Sequence, residues 1–170
     1  MADNGFVYDS AGLWLQDNIR ISSVTSITPP AITAKIGAFQ PTWMDMPIPV
    51  DNGMEAMQLE FKVSCDRDVL ALFGMVPGGK TRAQVRRNYL DLDETMHTWV
   101  DEFEGIIGTI TPDEHGNDSK DGVGMSVTMN LSYYKLTADN VELIEINPRQ
   151  MIRSVNGVNQ LAARKDALLM

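Results

Sequence analysis

The chain has 170 residues, 44% of them hydrophobic and 22% charged, enough to bury one ordinary core without staples and too apolar for disorder. Twenty-three acids against 14 Lys and Arg leave a net charge of -9, the wrong sign for a protein that grips phosphate backbones. A single cysteine, Cys65, excludes a disulfide-stapled scaffold, and no apolar run reaches the length of a membrane-spanning helix. Met1 to Gly5 is polar and acidic, unlike the basic-then-apolar start of an export signal, so a soluble, intracellularly made protein is expected.

Along the chain the hydrophobic period is mostly that of strands. Ile32, Ala34, Ile36 and Ala38 alternate with Thr33 and Lys35 behind Pro29-Pro30, which marks where a ladder can begin. Gln40 to Gly53 holds three prolines and is expected to be a loop. It also carries Trp43, Met44, Met46 and Ile48, so it is expected to dock on something. Met57, Leu59, Phe61 and Val63 form the apolar face of a strand whose other face is Gln58, Glu60 and Lys62. Asp66 to Gly74 reads as a short helix, with Asp66 as its cap and Gly74 as its stop.

Trp99 to Ile110 predicts a strand apolar or mixed on both faces, of the kind buried on both sides or used at a subunit contact. Thr111 to Gly124 is polar and reads as a loop. Met125, Val127, Met129, Leu131 and Tyr133 then alternate with Ser126, Thr128, Asn130 and Ser132, predicting a strand that continues through Leu136. Ala138-Asp139-Asn140 suits a tight turn, and Val141 to Ile146 is the returning strand. Its apolar phase slips between Leu143 and Ile144, which points to a bulge. Val158 to Leu168 is read as a helix with Asn156 as a possible cap. There is no repeat and no linker, so one mainly β domain over 1-170 is expected.

No catalytic set emerges. Gly74-Met75-Val76-Pro77-Gly78-Gly79-Lys80-Thr81 matches the phosphate-loop spacing, which would make a nucleotide-binding enzyme. That chemistry needs a buried parallel strand before the loop and a helix after it, and the surroundings read otherwise. A calcium loop tried on Asn117 to Gly122 puts Thr128 where a bidentate Glu is required. His97 and His115 lack the partner spacing of a zinc site and read as solvent-facing. Cys65, beside a helix start but with no triad in sight, reads as a packed thiol. Met54, Met57, Met125 and Met129 suit core or interface packing. No enzyme, no cofactor and no metal is the expectation.

The order of features carries a resemblance. Ile27 to Lys35, Pro49 to Phe61 and Leu72-Phe73-Gly74 come first. Leu131 to Leu136, Glu142 to Asn147 and Val155 to Leu161 follow. Together they resemble the major tail tube protein of contractile-tailed phages and phage-tail-like bacteriocins, over about Phe6 to Leu169. The sequence departs from that pattern at Gln40 to Met44, at Thr81 to Leu92 and at Thr111 to Gly124.

The resemblance implies an antiparallel β-sandwich or half-barrel with a short flanking α-helix and a C-terminal helical tail, completing a barrel in a hexameric ring. Stacked rings would form the inner tube of a contractile tail, a channel for genome delivery or, in a headless tailocin, a puncturing device. It implies a tail sheath protein, a baseplate hub or tube initiator, a tail terminator and a tape measure protein as partners, in a virion assembled in the host cytoplasm. DNA would pass without tight binding, and this chain would insert in no membrane. Trp43, Met44, Met46, Ile48, Asn156, Gly157 and Leu161 are the expected contacts between subunits or rings, and Glu60, Asp101, Glu102 and Glu104 the acids expected to face the lumen. A secretion-system-like tube or a terminator ring protein shares the architecture and differs in whether rings polymerise without limit.

Overall fold

A computed structural model describes residues 5–16, 19–72, 78–118 and 123–169. Its spine is the strand pair β8 (Met96–Pro112) and β9 (Gly124–Ala138), antiparallel along nearly their whole length. On the outer side of β8 lie β7 (Thr81–Leu90), β1 (Val7–Leu15) and the short β2 (Ile19–Ile21). The other edge of β9 is shared. Its first half pairs with β6 (Gln58–Ser64), which carries β3 (Val24–Thr28), and its second half with β10 (Val141–Asn147). Beyond β10 come β11 (Ile152–Val155) and β12 (Val158–Asn159). Ser22-Ser23 joins β2 to β3, linking the two ends of the sheet, and β1 touches β3 without a ladder between them. The sheet therefore wraps one core, in which Leu13, Leu15, Leu59, Phe61, Val63, Val85, Ile107, Met125, Val127 and Met129 are almost wholly buried. This is the mainly β, antiparallel fold expected.

Alternation fixes the inner face strand by strand, and bulges reset it. On β9 the buried residues are Met125, Val127 and Met129, then Tyr134 and Leu136. The continuous phase expected through Leu131 and Tyr133 fails because Ser132 is an extra residue opposite the Glu104–Gly105 step. Its hydroxyl donates to the Glu104 carbonyl. One inserted residue turns every later side chain to the other face. Gly105 is required at that crossing: a Cβ there would lie 2.1 Å from the Asn130 carbonyl oxygen. In β10 the slip expected between Leu143 and Ile144 is a bulge with Leu143 as the extra residue, since the register shifts between Glu142 and Ile144. The turn before it has Asp139 and Asn140 both at positive φ, the backbone a two-residue hairpin needs.

Three expectations are corrected. Gln40 to Gly53 is not all loop. β5 (Ile48–Met54) pairs with β4 (Ala34–Phe39) in a separate two-stranded arm, and Pro49 is tolerated because β5 has no second strand neighbour. Val158 to Leu168 is not one helix: Asn156 (φ 52°) and Gly157 (φ 81°) form the hairpin turn into β12, and only Ala162–Ala167 is helical (α2), with no side-chain cap. Asn156 therefore caps nothing. The first helix, α1 (Arg67–Ala71), is capped by Asp66, whose Oδ1 accepts from the Asp68 amide at 2.9 Å. It closes at Leu72, while Gly74 lies outside the described residues.

Candidate assembly surfaces

The arm is the least self-sufficient part of the chain. Ile36, Phe39, Trp43, Met46, Ile48 and Val50 are all exposed, Trp43 at 80% and Met46 at 72%. Met44 is half-buried at the tip, which is ordered by the Gln40 amide donating to the carbonyls of Met44 and Asp45. The base of the arm is tied to the main body by an ion pair from Asp51 to Arg153 of β11 and by Met54, which packs against the core. The Arg153 hydrogen bond, with a second from the Gly53 amide, holds the Asp51 carboxyl down at about 2. Among the described residues both edges of the arm lack a further strand, as does the outer edge of β2, and open edges invite pairing with another chain. Around the β11–β12 turn Val155 and Val158 are exposed, Asn156 and Gly157 sit at the tip, and Leu161 is half-buried behind them.

The acids expected to act together do not share one face. Asp101 points inward and is fully buried. Successive strand residues face opposite ways, so a neighbour of Glu102 and Glu104 by one position joins the core. Arg87 meets Asp101 with two donors, Nε at 2.7 Å and Nη2 at 2.9 Å, and the Tyr134 hydroxyl donates to it at 2.9 Å. Burial raises the Asp101 carboxyl from its ordinary value against the pull of Arg87, and it raises the Tyr134 phenol as well. Arg87 also lies over the Trp99 ring, 5.5 Å from its centroid. The sequence carried no mark of this group, because Arg87, Asp101 and Tyr134 come from three strands whose register is tertiary. Glu102 and Glu104 do face outward. Lys80 reaches Glu104 at 3.1 Å, Arg82 reaches it at 3.9 Å, and Gln84 donates to Glu102 at 3.5 Å. Glu60 is exposed on the outer face of β6.

The remaining candidates sort cleanly. Lys80 and Thr81 of the phosphate-loop spacing lead into strand β7, not a helix. Thr81 is buried with its hydroxyl on the Leu72 carbonyl, and Gly74 to Pro77 lie outside the described residues. Cys65 is exposed, not packed. His115 is exposed, with Nδ1 against the Asp113 carbonyl. His97 is not free in solvent: it bridges Asp139 (2.7 Å from Nδ1) and Asp91 (3.1 Å from Nε2), joining the turn before β8 to the turn after β9. Phe6 packs edge-on against its ring. Hydrogen bonds to Asp139 and Asp91 raise the His97 value above 6.5. The stabilisation is therefore complete below pH 6.5 and is lost as pH rises through the higher folded value. His97→Gln is expected to flatten the fall in melting temperature on raising pH above 6.5. An unchanged pH profile in the variant would show that the bridge contributes nothing.

Comparison with known protein families matches residues 9–168 to the phage tail tube protein FII. The chain belongs to that family. It is a structural tail tube subunit. Solved structures show the same fold at very low identity. A chain of an extracellular contractile injection system sheath–tube complex in its extended state superposes with a TM-score of 0.59 at 9% identity, covering 75% of this chain and 88% of that one. A chain of the sheath/tube terminator of such a system, also extended, gives 0.57 at 10% identity, covering 75% and 92%. No curated protein sequence matches.

Proposed function

We propose that the whole chain acts as one domain that assembles into hexameric rings, and that the rings stack into the inner tube of a contractile tail. The observation that carries this is the arm: a two-stranded, edge-open element whose outer half, from Phe39 through Trp43 and Met46 to Val50, leaves its apolar side chains in water is built to be completed by another copy. Trp43, Met44, Met46 and Ile48 are the buried residues of that contact, and Asn156, Gly157 and Leu161 form a second one at the β11–β12 turn. A tail sheath surrounds the tube, a terminator and a baseplate hub close its ends, and a tape measure protein sets its length. The particle is a virion or a headless tailocin, assembled in the host cytoplasm.

The work of such a subunit is shape, stiffness and charge rather than catalysis. Glu60, Glu102 and Glu104 line the channel, where an acidic wall lets DNA slide without holding it. Asp101 has no part in that wall, because it is spent inside the subunit. Electron microscopy of the purified protein at high concentration tests the assembly: stacked rings are expected, and monomers alone overturn it. Replacing Glu60, Glu102 and Glu104 by Lys tests the wall. Slower, salt-sensitive DNA ejection from tails that still assemble is expected, and unchanged ejection removes the charge mechanism while leaving the tube.

A further inference from the structure

The outer face of β2, β1 and β7 carries a flat aromatic platform between two arginines. Trp14 lies back along its own strand over Gly12, where an added Cβ would come within 2.7 Å of two ring atoms. Gly12 is therefore what lets the indole lie down. Arg86, opposite Gly12 in the ladder, holds its guanidinium 5.8 Å from the ring centroid, and Arg20 is the cross-strand partner of Trp14. With Ser10, Asn88 and Thr98 these side chains surround a depression of about 340 Å³. Arg20 and Arg86 are exposed, and among the described residues neither is paired with a carboxylate. Among the described residues Arg86 donates to Gln84, Gln84 in turn reaches Glu102, and Asp9 accepts from the Ser10 hydroxyl. In a chain with 23 acids, two unpaired arginines flanking an aromatic plane are a vacancy for an acidic partner.

The same chain presents the complement. The turn between β7 and β8 carries Leu92, 67% exposed, followed by Asp93 and Glu94, both exposed. Its shape is held by its own hydrogen bonds. The Asp91 carboxylate accepts from the amides of Asp93 (2.9 Å) and Thr95 (2.8 Å), the Glu94 amide reaches the Asp91 carbonyl, and His97 holds the second Asp91 oxygen. An apolar knob beside two carboxylates is opposite in charge to an indole set among two guanidiniums, and apolar where the indole is apolar.

We propose that this turn of one copy docks on the Trp14 platform of the next, with Leu92 on the indole and Asp93 and Glu94 on Arg86 and Arg20. Repeated in one direction, turn onto platform, the contact runs around a ring or along a filament, whereas a reciprocal pairing of the same two patches would close a dimer. It presupposes the assembly proposed above and names one of its interfaces. A preformed turn loses little entropy on docking, and charge pairs at such a contact fix register and speed encounter.

Two charge-reversed variants of the full chain test it: Arg20→Glu with Arg86→Glu, and Asp93→Lys with Glu94→Lys. All four side chains are exposed, and far-UV circular dichroism and melting check that each variant folds. Alone, each is expected to need at least a tenfold higher concentration than the wild type to assemble. An equimolar mixture is expected to assemble near the wild-type threshold, because alternating copies restore every opposite-charge contact. That rescue cannot come from misfolded chains. Wild-type assembly by either variant alone, or failure of the mixture, overturns this interface while the tube stands. Wild-type protein that never assembles overturns both.

Discussion

Asp101→Ala is expected to lower the free energy of unfolding by about 3–5 kcal/mol, the range for breaking a buried ion pair from one side. The reason is what stays behind. Arg87 would keep its charge with its side chain only 15% exposed and no carboxylate within reach of Nε and Nη2, and the Tyr134 hydroxyl would lose its acceptor. Tyr134 stacks on Phe103, 5.3 Å between centroids, and Arg87 on Trp99, so the loss spreads into β7, β8 and β9 together. Replacing both partners, as in Asp101→Leu with Arg87→Met, is expected to recover most of the loss, since no unpaired charge remains. Urea unfolding measures both. A loss below about 1 kcal/mol for Asp101→Ala would mean that water reaches Arg87 easily and that the pair is not structural.

The fold was legible wherever one face of a strand is apolar by itself. Leu59, Phe61 and Val63, and Met125, Val127 and Met129, gave strands that the structure pairs with each other residue by residue. The Asp139-Asn140 turn and the slip in β10 were equally plain, because local backbone chemistry decides them. What stayed hidden depends on register. No local pattern distinguishes Ser132 as a bulge, and without it the phase from Leu131 to Tyr134 is misread. Of the arm, β4 was legible in the alternation of Ile32 to Ala38, while β5 was hidden by Pro47 and Pro49, which read as loop residues. Asn156-Gly157 reads as a turn, but the helix pattern after it hid the two-residue strand β12, and β7, carrying Arg82, Arg86 and Arg87, has too mixed a face to be read unaided.

The candidate sites divide along the same line. The arm residues were visible from composition alone, because an apolar loop in water is a liability whatever its geometry. The acids were harder. Asp101, Glu102 and Glu104 lie within four positions of one strand, and only knowing which side of β8 faces the core separates a buried partner of Arg87 from two outward carboxylates. The strand's apolar residues are spread over both faces, since Val100 and Ile106 point outward while Phe103 and Ile107 point inward.

Trp43→Ser with Met46→Ser is expected to leave the isolated chain as stable as the wild type and to stop it assembling. Both side chains are already largely in water, so removing them deprives the folded monomer of little. At a contact with another copy each would bury its apolar surface, stabilising the contact by about 1.5–3 kcal/mol per side chain. Losing both takes about 3–6 kcal/mol from every contact, or roughly a hundredfold to ten-thousandfold in its affinity. Many such contacts repeat along a tube, so the assembly threshold should move beyond accessible concentrations. Sedimentation and melting curves on the same sample separate the outcomes. An unchanged melt with tubes lost places Trp43 and Met46 at the interface. A lowered melt would show that the arm folds back on its own sheet, and unchanged tubes would show that the arm tip stays in solvent after assembly.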